Sequence, residues 1–167
     1  LARDESLRPD RVLVSTMRRA VHTAEIVSEP IDMAPEQHAD LMERTSGEAE
    51  GLTIAEYTEK YGKPPWTDWE HPLSPGGESG AEFSARVSSA LDRVVGESWG
   101  STTWVVCHGG VINAIERMLG EPWVRLANLD GRWITIDAGL DTHRWQLGPR
   151  IQLIDDDELT ETPKDMV

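Results

Sequence analysis

The stretch WVVCHGGVI, Trp104 to Ile112, joins an apolar β-branched run to a helix-compatible segment through a histidine and two glycines. TTWVVC reads as a strand, and GGVINAIERMLG reads as a helix stopped by Gly120. His108 therefore stands at a strand-to-helix seam. In an α/β sheet such a residue faces the crevice beyond the strand ends, where ligands bind, and the next helix offers unpaired N–H groups to an anion. The glycines let backbone approach a ligand closely. Alone the signal is weak, because a single histidine after a strand is more often structural.

The same grammar recurs upstream. RVLVS, Arg11 to Ser15, is a buried-strand candidate, and TMRRAVHTAEIVSE places Met17, Ala20, Val21, Ala24 and Val27 on one helical stripe that ends before Pro30. LTIAEYTEKYG, residues 52–62, is a short helix with Gly62 as its stop. GKPPWTDWEHPLSPGG is a long surface loop. Phe83, Val87, Leu91, Val94 and Val95 then mark the longest helix, from Ser79 to about Trp99. WITIDAG, HRWQLG and RIQLID alternate like antiparallel strands. Strands alternating with helices predict an α/β, three-layer sandwich with a mostly parallel central sheet and helices on both faces.

The 167 residues, 38% of them hydrophobic, suit one domain spanning 1–167, with residues 155–167 read as a flexible acidic end. A net charge of -14 opposes binding to nucleic acid or an anionic membrane, so a bound anion needs a local cationic cluster. The lone Cys107 excludes an internal disulfide framework and points to a reducing, cytoplasmic setting. No run is long enough to span a membrane. A homodimer is left open.

Two further segments carry chemistry. STMRRAVHTA, Ser15 to Ala24, sets Arg18 and Arg19 near a helix N-terminus, where cations oppose the helix dipole unless an anion is served. Two solvated arginines would read equally well. LMERTSGEAEG, Leu41 to Gly51, sets Glu43 beside Arg44; a carboxyl group next to an anion has its pKa raised, which suits a general acid, although alone it is a charged turn.

STMRRAVHTA, LMERTSGEAEG, PGGES and VVCHGG, in this order and spacing, resemble the histidine phosphatase superfamily, in the branch that also holds the cofactor-dependent phosphoglycerate mutases. The likeness runs from Arg11 to about Leu119 and fades in the C-terminal strands. It implies that Arg19, in the position of the arginine of an SxxxRAxxTA motif, binds the transferred phosphate, and that His108 is the second histidine of the phosphate pocket. It implies that Glu43, in an LxExxxG segment, is the proton donor. Gly109 would add a backbone N–H, and Arg44 would contact an anionic part of the substrate. The implied activity is hydrolysis of a small phosphorylated metabolite through a phosphohistidine, with no metal or organic cofactor. His22, His38, His71, His108 and His143 show no zinc-ligand spacing.

Two departures stand out. The superfamily's nucleophile is the histidine of an RHG motif at the end of the first strand, and this chain contains no RHG. His22, one turn beyond Arg19, is read as pointing away. Because the chain opens on LARDESL without a methionine, the expectation is that an N-terminal strand and part of a helix are omitted, in preference to a non-catalytic phosphate-binding pseudoenzyme. Second, the short KPPWTDWEHPLSP loop and HGGVIN differ from the mutases' longer basic insertion and HGNSLR, which favours phosphatase over mutase. Trp66 and Trp69 are read either as a lid over an apolar or cyclic leaving group or as pins for the loop.

Overall fold

The computed structural model describes residues 8–63, 69–98, 100–137 and 144–152. Its first strand, β1 (Arg11–Ser15), is buried from Val12 to Ser15 without alternation. That pattern follows from cover on both faces, as a parallel strand requires. Val14 packs with Ala20, Ala24, Val21 and Val106, on the side of helix α1 (Arg18–Ser28). Leu13 faces the other way and meets Leu41, Ala90, Val94 and Cys107. Ala90 and Val94 belong to helix α3 (Gly80–Glu97), so the sheet lies between α1 and α3.

The sheet has three parallel strands in the order β2-β1-β3, with β2 at Glu36–His38 and β3 at Thr103–Val106. Leu13 aligns with Glu36 on one side and Val105 on the other. β3 has a strand neighbour on one side only among the described residues, and Val105 is 39% exposed. β2 escaped the sequence reading because EQH carries neither β-branched residues nor a period.

Helix α2 (Ile54–Tyr61) opens on a capping box between Thr53 and Glu56, and ends where Gly62 enters the left-handed region. α3 opens on a second box, between Ser79 and Glu82. Helix α4 (Gly109–Met118) follows β3 directly, with His108 as its N-cap residue. Phe83 and Val87 from α3 meet Val111, Ala114 and Ile115 from α4 in one core cluster. Truncating a buried residue such as Phe83 to alanine would cost about 3–5 kcal/mol.

The C-terminal strands differ from the sequence reading in one respect. β4 (Gly131–Asp137) and β5 (Arg144–Ile151) form a two-stranded antiparallel sheet, in which RWQLG and the start of RIQLID belong to one strand. β5 continues through Gly148 and Pro149, punctuation that otherwise signals a turn, with a register irregularity opposite at Arg132/Ile134. This sheet seats Ile134 and Leu147 on the α3–α4 cluster. Glu116, 1% exposed on α4, ion-pairs with Arg150 at 2.7 Å and with Arg132 at 3.6 Å, tying the sheet down. LARDESL, Trp66, Trp99, His143 and the acidic end 155–167 lie outside the described residues.

Candidate active site

β1 and β3 are parallel neighbours, so the residues that leave their C-terminal ends emerge side by side. Ser15 ends β1, and His108 lies two residues beyond β3; both are buried, and His108 Nε2 lies 2.8 Å from Ser15 Oγ. Burial pushes the His108 pKa down to about 4, and the positive charges of Arg19 and then Arg86 add to the effect. The imidazole is therefore neutral at pH 7 before an anion arrives. The charge of Arg19 thus acts on His108.

Glu43 joins them from the other side. Its Oε2 accepts the Gly110 N–H at 3.0 Å, so the carboxylate rests on the first turn of α4, beside His108. Its Oε1 accepts the Arg44 N–H at 2.9 Å. A Cβ at position 110 would lie 2.0 Å from Glu43 Oε1, so only glycine admits this approach. A Cβ at Gly109 would meet nothing within 4 Å, and that glycine borders open space. Of the glycine pair, the second serves Glu43 and the first faces outward.

Glu43 lies in an irregular segment, residues 42–46, between the short 3-10 turns Ala39–Leu41 and Gly47–Ala49, and a brace that the sequence does not reveal holds it. Arg86 on α3 grips Glu78 with two bonds of 2.7 Å and donates to the carbonyls of Asp40 at 2.8 Å and Met42 at 3.0 Å. Glu78 in turn accepts the Thr45 N–H, and the Arg86 guanidinium beside it holds its carboxyl below the usual carboxylate range. Glu78 lies within PGGES, but nothing local in the sequence links it to Arg86 in the helix that follows.

Arg44 points into the neighbouring loop, donating to the carbonyls of Glu78 at 3.0 Å and His71 at 3.3 Å. Its guanidinium lies 5.1 Å from the centre of the Trp69 ring, and that of Arg117 lies 4.8 Å from it. Trp69 also sits against Gly80, where a Cβ would fall 2.1 Å from the indole, and its carbonyl accepts the Gly80 N–H. These contacts pin the loop to the body at Trp69. His22, expected to point away from Arg19, lines an open recess of about 520 Å³ with Met17, Arg18 and Arg19. Burial pushes the Cys107 thiol up to about 12, which keeps it protonated and chemically quiet.

Together these features define a three-layer α/β protein with an arginine, a buried histidine and a carboxylate at the C-terminal ends of adjacent parallel strands. The chain belongs to the histidine phosphatase superfamily (branch 1), whose family model matches residues 2–135. It is 32% identical over 137 residues to the adenosylcobalamin/alpha-ribazole phosphatase of Salmonella typhimurium, covering 77% of this chain and 67% of that one. It is 28% identical over 147 residues to the uncharacterized phosphatase PhoE of Bacillus subtilis, covering 80% and 72%. Among solved structures, a mycobacterial glucosyl-3-phosphoglycerate phosphatase with inorganic phosphate shares the fold, at a TM-score of 0.74 and 23% identity over 86% of this chain and 77% of that one. The alpha-ribazole phosphatase from Shigella flexneri gives a TM-score of 0.59 at 25% identity, over 71% of this chain. The present chain spans only 60% of that protein. No helix among the described residues is long and apolar enough to cross a membrane.

Proposed function

We propose that this protein hydrolyses phosphate monoesters of small metabolites through a phosphohistidine. The observation that carries the reading is the convergence on one helix start: His108 is the N-cap residue of α4, Glu43 is fastened to the Gly110 N–H, and the positive charge of Arg19, on α1, acts on His108. Phosphoryl transfer needs positioned cations for the phosphoryl oxygens and a proton for the leaving oxygen. Arg19, with His108 taking up a proton from solvent as the anion arrives, supplies the first, and the Gly109 N–H adds a donor on the open side. Glu43 supplies the second.

In the first step a histidine nitrogen bonds to phosphorus, the bond to the leaving oxygen breaks, and Glu43 gives that oxygen its proton. In the second, the Glu43 carboxylate takes a proton from water as the water oxygen attacks phosphorus, releasing phosphate and regenerating the histidine. In this reading the nucleophile comes from an RHG segment outside these 167 residues. A strand laid along the free edge of β3, parallel to it, would end beside His108, and it would cover the exposed Val105. The short loop around Trp69 favours water over a second substrate hydroxyl as acceptor, hence phosphatase over mutase.

The experiment is to incubate the natural polypeptide with a ³²P-labelled aryl phosphate and quench it. Release of phosphate together with an acid-labile, base-stable label on the protein is expected. Tight phosphate binding with neither label nor turnover would instead establish a non-catalytic phosphate-binding protein.

A further inference from the structure

Arg18 has no role in the reading above, and its surroundings differ from those of five other arginines of this chain. Arg11, Arg86, Arg93, Arg132 and Arg150 are each ion-paired with an acidic side chain. Among the described residues, the guanidiniums of Arg18 and Arg19 have no hydrogen-bond or ion-pair partner, in a chain with 30 acidic side chains. The first turn of α1 contains no acidic residue. Two adjacent, uncompensated guanidiniums repel each other and concentrate positive potential at one place on an otherwise negative protein. The transferred phosphoryl group accounts for Arg19 alone.

Both arginines line the same open recess, with Met17 and His22. Arg18 and His22 are four residues apart on α1 and so share one face of the helix, next to the face that carries Arg19. Arg19 lines this recess, so a ligand whose phosphoryl group Arg19 holds has a further cation and an imidazole beside that arginine for whatever else it carries. We infer that the substrate bears a second anionic group, a carboxylate or another phosphoryl, and that Arg18 with His22 receives it. This inference rests on the assignment of Arg19 and His108 to the phosphate pocket. It names the class of substrate that the pocket selects.

The test uses non-hydrolysable probes, so that binding is read without turnover. Phenylphosphonate, its 2-, 3- and 4-carboxy derivatives, the matching carboxamides and the three benzenediphosphonates are titrated by calorimetry. At least one carboxy or diphosphonate isomer should bind about five-fold tighter than its neutral counterpart, the scale of a solvent-exposed ion pair. Which set gains more identifies carboxylate or phosphoryl as the second group. Arg18→Ala should bring that ratio to about one while Arg18→Lys preserves it, and Arg19→Ala should weaken every probe alike. If the parent binds the anionic and neutral probes equally, the second-anion subsite is wrong and the phosphate pocket stands. If no phosphonate binds to the parent, the pocket assignment itself is overturned.

Discussion

Glu43 Oε2 accepts the Gly110 N–H at 3.0 Å, and the space where a side chain would grow from Gly110 is filled by the same carboxylate. The second glycine of the HGG run thus holds the candidate acid against the helix that begins at the candidate phosphate ligand. Without Gly110 the two halves of the site separate.

Gly110→Ala should therefore act on catalysis through Glu43. A methyl group 2.0 Å from Oε1 forces the carboxylate off α4. Loss of a positioned proton donor costs about 10²-fold or more. In the natural polypeptide, alkyl phosphate hydrolysis should fall by about that factor while 4-nitrophenyl phosphate hydrolysis falls much less. Parent-like rates on alkyl phosphates in a folded Gly110→Ala protein would refute the role of this contact.

Arg86 should behave as a brace. Arg86→Ala leaves the Glu78 carboxylate with the Thr45 N–H alone and takes a donor from the carbonyls of Asp40 and Met42, and the loss of these bonds to partly exposed groups should cost about 2–3 kcal/mol. Arg86→Lys should recover little, because one ammonium cannot reproduce a guanidinium fork on Glu78. Urea unfolding of the three proteins measures this directly; full recovery by lysine would show that charge alone matters.

The depressed His108 pKa makes a pH-dependent contribution to stability. Between pH 6.5 and about 4 the unfolded chain binds a proton that the folded, unliganded protein refuses. The contribution is fully present above pH 6.5 and is lost as pH falls through that window, by at most about 3 kcal/mol. Subtracting the profile of His108→Gln from that of the parent should isolate this term. Parallel profiles from pH 7 to pH 4 would show that His108 titrates normally.

Vanadate binding reads the pocket itself. Arg19→Ala and His108→Ala should each weaken it by about 10- to 100-fold, the loss expected for a charged hydrogen bond to an anion. Ser15→Ala removes the hydroxyl 2.8 Å from His108 Nε2 and should have a smaller effect. Unchanged vanadate affinity in Arg19→Ala, with only the melting temperature lowered, would return Arg19 to the surface.

Much of this architecture is legible before any coordinates. β1, α1, α2, α3, β3 and α4 follow from apolar periodicity and their glycine or proline stops, because each buries a face that its own residues define. His108, Arg19 and Glu43 are legible as candidates because each sits at a junction between elements. What escaped notice depends on tertiary partners. β2 is a strand only because β1 lies beside it, and the Arg86–Glu78 brace exists only once the loop returns to α3. Gly110 looked like an opening for a ligand and proved to be an opening for Glu43.

The most direct test of the account is the dependence of kcat/KM on leaving-group pKa for the natural polypeptide and its Glu43→Gln variant, across aryl and alkyl phosphates. If Glu43 protonates the departing oxygen, the parent should show a shallow dependence. The variant should show a steep one, with losses of about 10²-fold or more for alkoxide leaving groups and little for nitrophenolate. Parallel lines, with the variant slower by the same factor on every ester, would contradict proton donation by Glu43 and leave it a purely structural carboxylate.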